Sequence, residues 1–273
     1  WAIFEEDVDA SGVNTVESRK YNASNDTWEG GGTVFTNAYS SGNSDQGAFA
    51  FDAVAHKGKI FVLGTDSANS ADADNTYEVY SSADGASWAD AGLTGWPTTL
   101  YIANASASAQ SPFLDRGRLL SAGNVLLAAI YEDPASSGGS ISQVRIYYSP
   151  DLGANWTAGA VIPSGDGPMA FVEWVDPLTA GLPGSPVLIT SDGVYRVDVG
   201  GTTFDRLVAL DGDPNTGRWA VVGDDGPLYV PQGSGDIWRI EAFEGGTIQV
   251  TNIGPHSHAD GLPSEFQGHA NYL

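Results

Sequence analysis

The chain contains no cysteine, which excludes a disulfide framework, a thiol nucleophile and any cysteine-held metal. It contains no run of about 18 apolar residues, so no segment is long and apolar enough to cross a membrane as a helix. No leader-like N-terminal stretch is visible either, and the chain begins at Trp1 rather than at a methionine, from which we expect a processed product or part of a larger chain or assembly. Basic residues are scarce. There are 11 Lys+Arg against 34 Asp+Glu, a formal net charge of −23. A field of that sign repels phosphate backbones and anionic bilayers, so neither a nucleic-acid partner nor membrane insertion is expected. An acidic surface suits solubility, a cationic partner or calcium, and apart from calcium no cofactor is expected. Set against these shortages are 41% hydrophobic residues, a globular composition, and 35 glycines among many Ser, Thr, Asn and Asp. That mixture supplies the tight turns that a chain of short strands needs.

Five hairpin-like segments recur: RKYNASNDTW (19–28), EVYSSADGASW (78–88), RIYYSPDLGANW (145–156), YRVDVGGTTF (195–204) and WRIEAFEGGTI (238–248). Each begins with a charged residue among aromatic and β-branched ones and turns through Asp, Asn or Gly. Each resumes at a large apolar residue: Trp28, Trp88, Trp156, Phe204 and Ile248. Short alternating or continuously apolar runs precede four of them, such as AFAFDAVAH with KIFVLGT, and MAFVEWV with SPVLITS. No segment carries a capped helical period. The order strand, turn, strand, loop, strand, Asp/Gly turn, strand is that of a four-stranded propeller blade. The expected fold is therefore an all-β, single-domain β-propeller with complete blades at about 47–95, 113–163, 168–210 and 217–254. WAIFEEDV lacks a first strand and GHANYL lacks a second. A fifth blade shared between 1–36 and 268–273 would close the ring, the alternative being a segment of a six- or seven-bladed propeller.

SPDLGANW (149–156) resembles the Asp-box of the bacterial neuraminidase (BNR) repeat, Ser-x-Asp-x-Gly-x-x-Trp, and SADGASW (82–88) its shorter variant. The chain looks like a member of the BNR/Asp-box propeller superfamily, which includes sialidases, other glycosidases and non-catalytic proteins. The resemblance implies structural roles for Ser82, Asp84, Gly85 and Trp88 and for Ser149, Asp151, Gly153 and Trp156. The aspartate gathers backbone N–H groups, the glycine supplies a positive φ, and the tryptophan packs between blades. The sialidase catalytic set that the resemblance implies, three arginines with a Tyr/Glu pair and an aspartate, is not recognisable. No Arg-Ile-Pro strand occurs, and Arg19, Arg145, Arg196 and Arg239 sit at repeated hairpin positions.

Five-bladed glycosidases use acids instead. Asp52 and Glu173, which interrupt apolar first strands, and nearby Asp176 are the candidates for paired carboxylate chemistry. His256, His258 and Asp260 share one face if extended and form the candidate metal set. The acid-rich SADADN (70–75) and DGDPN (211–215) are candidate calcium loops. Arg118 and Arg218 begin first strands, and with His269 are placed to reach one channel mouth and hold an anionic ligand. Long loops, 36–47, 65–76, 96–113, 131–143, 176–186 and 254–267, are expected on one face, where Tyr39, Trp96 and Tyr101 would stack on a ligand. The leading expectation is a non-catalytic binding or structural module, extracellular, at a cell surface or on a virion such as in a viral tail, recognising a glycan or protein partner through that face. The alternative is a glycoside hydrolase with carboxylates in the central channel.

Overall fold

The computed structural model describes residues 1–8, 13–38, 49–65, 77–92, 94–97, 117–132, 143–164, 167–174, 184–210, 220–223, 226–232, 236–243 and 247–255. Twenty strands form five four-stranded antiparallel sheets, and the described residues contain no helix. The first sheet holds β1 (Ala2–Val8), β2 (Val13–Asn22), β3 (Thr27–Glu29) and β4 (Thr33–Ala38). The second holds β5 (Phe49–His56), β6 (Lys59–Thr65), β7 (Glu78–Ser82) and β8 (Ala89–Asp90). The third holds β9 (Gly117–Ala122), β10 (Val125–Glu132), β11 (Gln143–Ser149) and β12 (Thr157–Pro163). The fourth holds β13 (Ala170–Trp174), β14 (Ser185–Thr190), β15 (Gly193–Val197) and β16 (Phe204–Ala209). The fifth holds β17 (Val221–Val222), β18 (Leu228–Pro231), β19 (Asp236–Phe243) and β20 (Thr247–Pro255). First strands neighbour one another in sequence order, β5 by β9, β9 by β13 and β13 by β17, and β1 of the first blade lies beside β5. The architecture is the expected five-bladed β-propeller.

The core lies between blades rather than within them. Phe61, Leu63 and Val79 of the second blade pack on Leu126, Ile130 and Tyr147 of the third. Leu127, Ile146 and Ile162 of the third meet Phe171 and Leu188 of the fourth. Val187, Ile189 and Val194 of the fourth meet Leu228, Val230 and Ile240 of the fifth. A second strand is thus covered on both faces, which is why VLLAAIY in β10 and PVLIT in β14 are continuously apolar rather than alternating. Each fully buried Leu, Ile or Phe contributes roughly 1.5–3 kcal/mol of transfer free energy.

In the first blade β3 and β4 follow one another along the same edge of β2, with Asn22 opposite Thr27 and Val13 opposite Ala38. They are one outer strand interrupted at Gly30–Gly32. The interruption demands glycine: a Cβ on Gly31 would lie 1.4 Å from the Ser18 carbonyl oxygen, and one on Gly32 1.9 Å from that of Ala86. The other edge of β1 has no strand partner among the described residues. Residues 268–273, expected to supply one, lie outside the described set.

The Asp-turns join blades. Ser82 Oγ and Asp84 hold the second-blade turn: Gly85 N donates to Ser82 Oγ (2.7 Å), and Ala86 N and Ser87 N donate to Asp84 Oδ1 (2.9 Å each). In the third blade Gly153 N donates to Ser149 Oγ (2.9 Å) and Asn155 N to Asp151 Oδ1 (2.9 Å). The fourth blade has no such motif by sequence, yet Asp198 accepts from Gly200 N (3.0 Å) and from Thr203 N in the same way. Each turn then reaches sideways. Trp88 Nε1 donates to Ser18 Oγ of the first blade (3.1 Å), and Trp156 Nε1 to the Ala91 carbonyl of the second (2.7 Å). Ala160 N of the third blade donates to the Gly201 carbonyl of the fourth (2.6 Å).

Antiparallel order assigns the connections to faces. The first-to-second turns at 57–58 and 123–124 share a face, here the turn face, with the Asp-turns. Blade-to-blade connections and second-to-third loops share the opposite, loop face. The fourth blade departs from this. Its long connection follows β13, and its short turn, 191–192, follows β14. The 176–186 segment therefore attaches to the turn face, not to the loop face expected from its length.

Candidate active site

Asp52 sits in the middle of β5, where the register with β6 shifts between Ala50 and Asp52. The shift is a β-bulge, a device that re-aims a side chain. Here it leaves Phe51 in the core, its ring 5.8 Å from Tyr77, and turns the Asp52 carboxylate to the neighbouring first strand. Asp52 Oδ2 accepts the Leu119 N–H of β9 (2.8 Å) and Oδ1 that of Ala53 (2.8 Å). Arg118, one residue before Leu119, lays its guanidinium across three blades. Nη1 donates to the carbonyls of Gly117 (2.9 Å) and Phe51 (3.4 Å), and Nε to that of Met169 (3.1 Å). Burial raises the proton affinity of Asp52. The Arg118 charge and the two N–H groups pull the other way without cancelling it. The result is a half-buried carboxyl on the inner wall of the propeller that holds its proton more tightly than a free aspartate.

Glu173, the second acid expected there, is engaged at the end of its strand. It is the penultimate residue of β13, four residues beyond Met169 and so roughly 13 Å further along the strand. Its Oε1 accepts the Gly184 N–H (3.1 Å), joining the two ends of the long fourth-blade connection on the turn face. Trp96, expected as an exposed stacking residue, is buried instead. It is 7% exposed, with its ring 4.7 Å from Trp156 and 5.7 Å from Tyr147, and its Nε1 donates to the Tyr77 carbonyl (2.7 Å). Arg118 lies at the expected strand start, with its guanidinium engaged by backbone carbonyls beside Asp52. Tyr39, Tyr101, Asp176, Arg218, His256, His258, Asp260, His269 and both candidate calcium loops lie outside the described residues. Among the described residues no cluster of three or more His, Asp or Glu has metal-holding geometry.

One cleft, of about 310 Å3, lies on the turn face of the fourth blade between Pro186, Arg196, Asp198, Phe204 and Asp205. Its chemistry is that of a braced turn. Burial of Asp198 is outweighed by the Thr203 N–H and the Thr202 and Thr203 hydroxyls, which keep its pKa below the usual value. Arg196 pairs with Asp205 at 3.1 Å in the open.

No protein-family model matches the chain, and no curated protein matches it by sequence. Solved structures of similar fold do exist. One is an α-L-arabinofuranosidase from Fusarium graminearum, 13% identical over 92% of this chain and 69% of that one, with a TM-score of 0.49. Another is an exo-β-1,3-galactanase from Phanerochaete chrysosporium, 15% identical over 82% of this chain and 54% of that one, with a TM-score of 0.45. A third is a family 117 glycoside hydrolase from Zobellia galactanivorans, 13% identical over 74% of this chain and 69% of that one, with a TM-score of 0.38. At these identities the likeness is one of fold. The resemblance to propellers stands, and its narrower form, the BNR repeat family, does not follow from these neighbours. The three are glycoside hydrolases, which runs against the leading expectation of a non-catalytic module. The expectation leaned on the missing sialidase set, whose absence bears on sialidases alone and not on glycosidases that work through carboxylates.

Proposed function

We propose that this chain is a glycoside hydrolase, with Asp52 as the general acid. The observation that carries the reading is the half-buried Asp52 carboxyl on an inner strand, whose burial raises its proton affinity although a guanidinium and two N–H groups oppose the shift. Cleavage of a glycosidic bond needs an acid that still holds its proton near neutrality and gives it to the leaving oxygen. Asp52 is biased to hold the proton, and Arg118 beside it steadies the carboxylate once the proton has gone. A second carboxylate, about 5–10 Å away, acts as base or nucleophile. The substrate is a glycan, in keeping with the arabinan- and galactan-type activities in the names of the fold neighbours, and an extracellular or cell-surface setting suits a polymer.

Reducing-sugar release from a panel of oligo- and polysaccharides tests the reading. Hydrolysis of at least one is expected, with a fall of about 10²–10⁴ in Asp52→Asn and near-wild-type activity in Glu173→Gln. No hydrolysis across the panel, or full activity in a folded Asp52→Asn, overturns it.

A further inference from the structure

One aromatic pair is more exposed than its counterparts in the other blades. In the second, third and fourth blades the residue that resumes the outer strand follows a glycine by three positions: Gly85 before Trp88, Gly153 before Trp156, Gly201 before Phe204. All three glycines have positive φ, 69°, 83° and 65°. A Cβ on them would lie 2.3 Å from the Trp1 ring, 3.0 Å from Ala91 Cβ and 2.9 Å from Ile146 Cγ2, each in the neighbouring blade. The glycine is where a blade presses on its neighbour. The first blade carries Asn25 at this position, and Trp28 resumes its strand. Trp28 is 55% exposed, where Phe204 is 36% and Trp156 4% exposed.

Trp28 is not alone. Its cross-strand partner is Tyr21, itself 43% exposed, with ring centroids 5.3 Å apart and planes at 56°. The Tyr21 hydroxyl donates to Asp26 Oδ1, which fixes the ring, and Asn22 donates to Glu29 on the opposite face of the same strand pair. Two rings therefore stand at an angle, already ordered, with Asp26 at one end. Arg19 is two residues along the same strand face, roughly 7 Å away. Ordered aromatic surface with a polar rim binds at low entropic cost.

We propose that Tyr21 and Trp28 form a binding platform for a neutral polysaccharide, on the turn-face rim of the first blade and apart from Asp52. The C–H faces of successive sugar rings lie on the two side chains, and Asp26 and Arg19 meet the hydroxyls. A polyanionic chain is disfavoured by the −23 net charge. The platform stands independently of the hydrolysis reading, because it binds polymer without cleaving it.

Affinity electrophoresis and calorimetry of the whole chain, with a soluble β-glucan, a galactan, an arabinan, a mannan and polygalacturonate as the anionic control, read it directly. Retardation by at least one neutral polymer is expected, weakened tenfold or more in Trp28→Ala and in Tyr21→Ala. Asp52→Asn retains it, and the melting temperature of the two aromatic variants stays within about 2 °C of wild type. Three results overturn the proposal: no retardation by any neutral polymer, retention undiminished in Trp28→Ala, or a Trp28→Ala variant that melts several degrees lower or changes oligomeric state. The last would make the pair a packing contact between blades or copies.

Discussion

A single methyl group separates two kinds of glycine in this chain. Gly58 has φ of 81° and open space around it, so that a Cβ added there meets nothing within 4 Å. Gly153 has φ of 83°, and a Cβ there would touch Ala91 and the Phe61 ring at 3.0–3.2 Å. Gly58→Ala should cost only the left-handed backbone penalty, about 1–2 kcal/mol. Gly153→Ala should cost that and a further ~1–3 kcal/mol for overpacking between blades. Urea midpoints of the two variants check this, and equal midpoints would remove the wedge role from Gly153. His56 gives a second residue-scale expectation. It is 2% exposed, its Nδ1 is 2.8 Å from Ser121 Oγ, and its Nε2 is buried without a partner. Burial, helped by the Lys57 charge, lowers its pKa. As pH falls below the ordinary imidazole value of about 6.5, the unfolded chain takes up the proton first. Stability is thus complete above that pH and declines below it, and His56→Leu should flatten the decline between roughly pH 6.5 and 5. The same slope in both proteins would show that His56 does not carry it. Asp84, Asp151 and Asp198 act in a lower window. Their depressed pKa values contribute stability above the usual carboxylate range, and it is lost as pH falls through it.

The repeated element is a hairpin whose turn is locked by an aspartate and whose first outer-strand residue reaches the adjacent blade. SPDLGANW is legible as such a turn from its residues alone, whereas YRVDVGGTTF is legible as a hairpin but not as one locked by Asp198. Its Asp-to-Gly spacing is three rather than one or two, it has no serine, and Phe204 replaces tryptophan. The distance that stays fixed is Gly-x-x-aromatic, because the glycine and the outer strand both pack on the neighbour while the aspartate only has to reach backbone N–H groups. Trp156→Phe isolates the polar part of the device. It keeps much of the ring area and leaves the buried Ala91 carbonyl unpaired, so a loss of about 1–3 kcal/mol is expected from denaturant unfolding. No loss would mean that the indole N–H contributes nothing beyond its area. The fourth blade shows what strand reading does not supply. Both of its first two strands are recognisable in the sequence, yet the exchange of a long and a short connection puts the long one on the turn face, at Glu173's end of β13. Face is a matter of counting strands around the blade, not of local composition.

At the scale of the whole molecule, five sheets and their order follow from the repeat, and Asp52 stands out as an acid interrupting an apolar first strand. What the strand pattern does not show is that a bulge aims Asp52 at the next blade. Nor does it show that Arg118 is held by three carbonyls, since both depend on register between strands far apart in sequence. Trp96 departs from expectation for a related reason: a tryptophan in a long connection looks exposed until a Tyr147–Trp156 pocket from another blade covers it. The central claim is that Asp52 hands a proton to a leaving sugar oxygen. The most direct test compares Asp52→Asn with wild type on a natural glycosidic linkage and on the matching dinitrophenyl glycoside, whose leaving group needs no proton. The account predicts that kcat/KM falls by about 10²–10⁴ on the natural linkage and far less on the activated one. An equal fall on both substrates, or none on either, would contradict it.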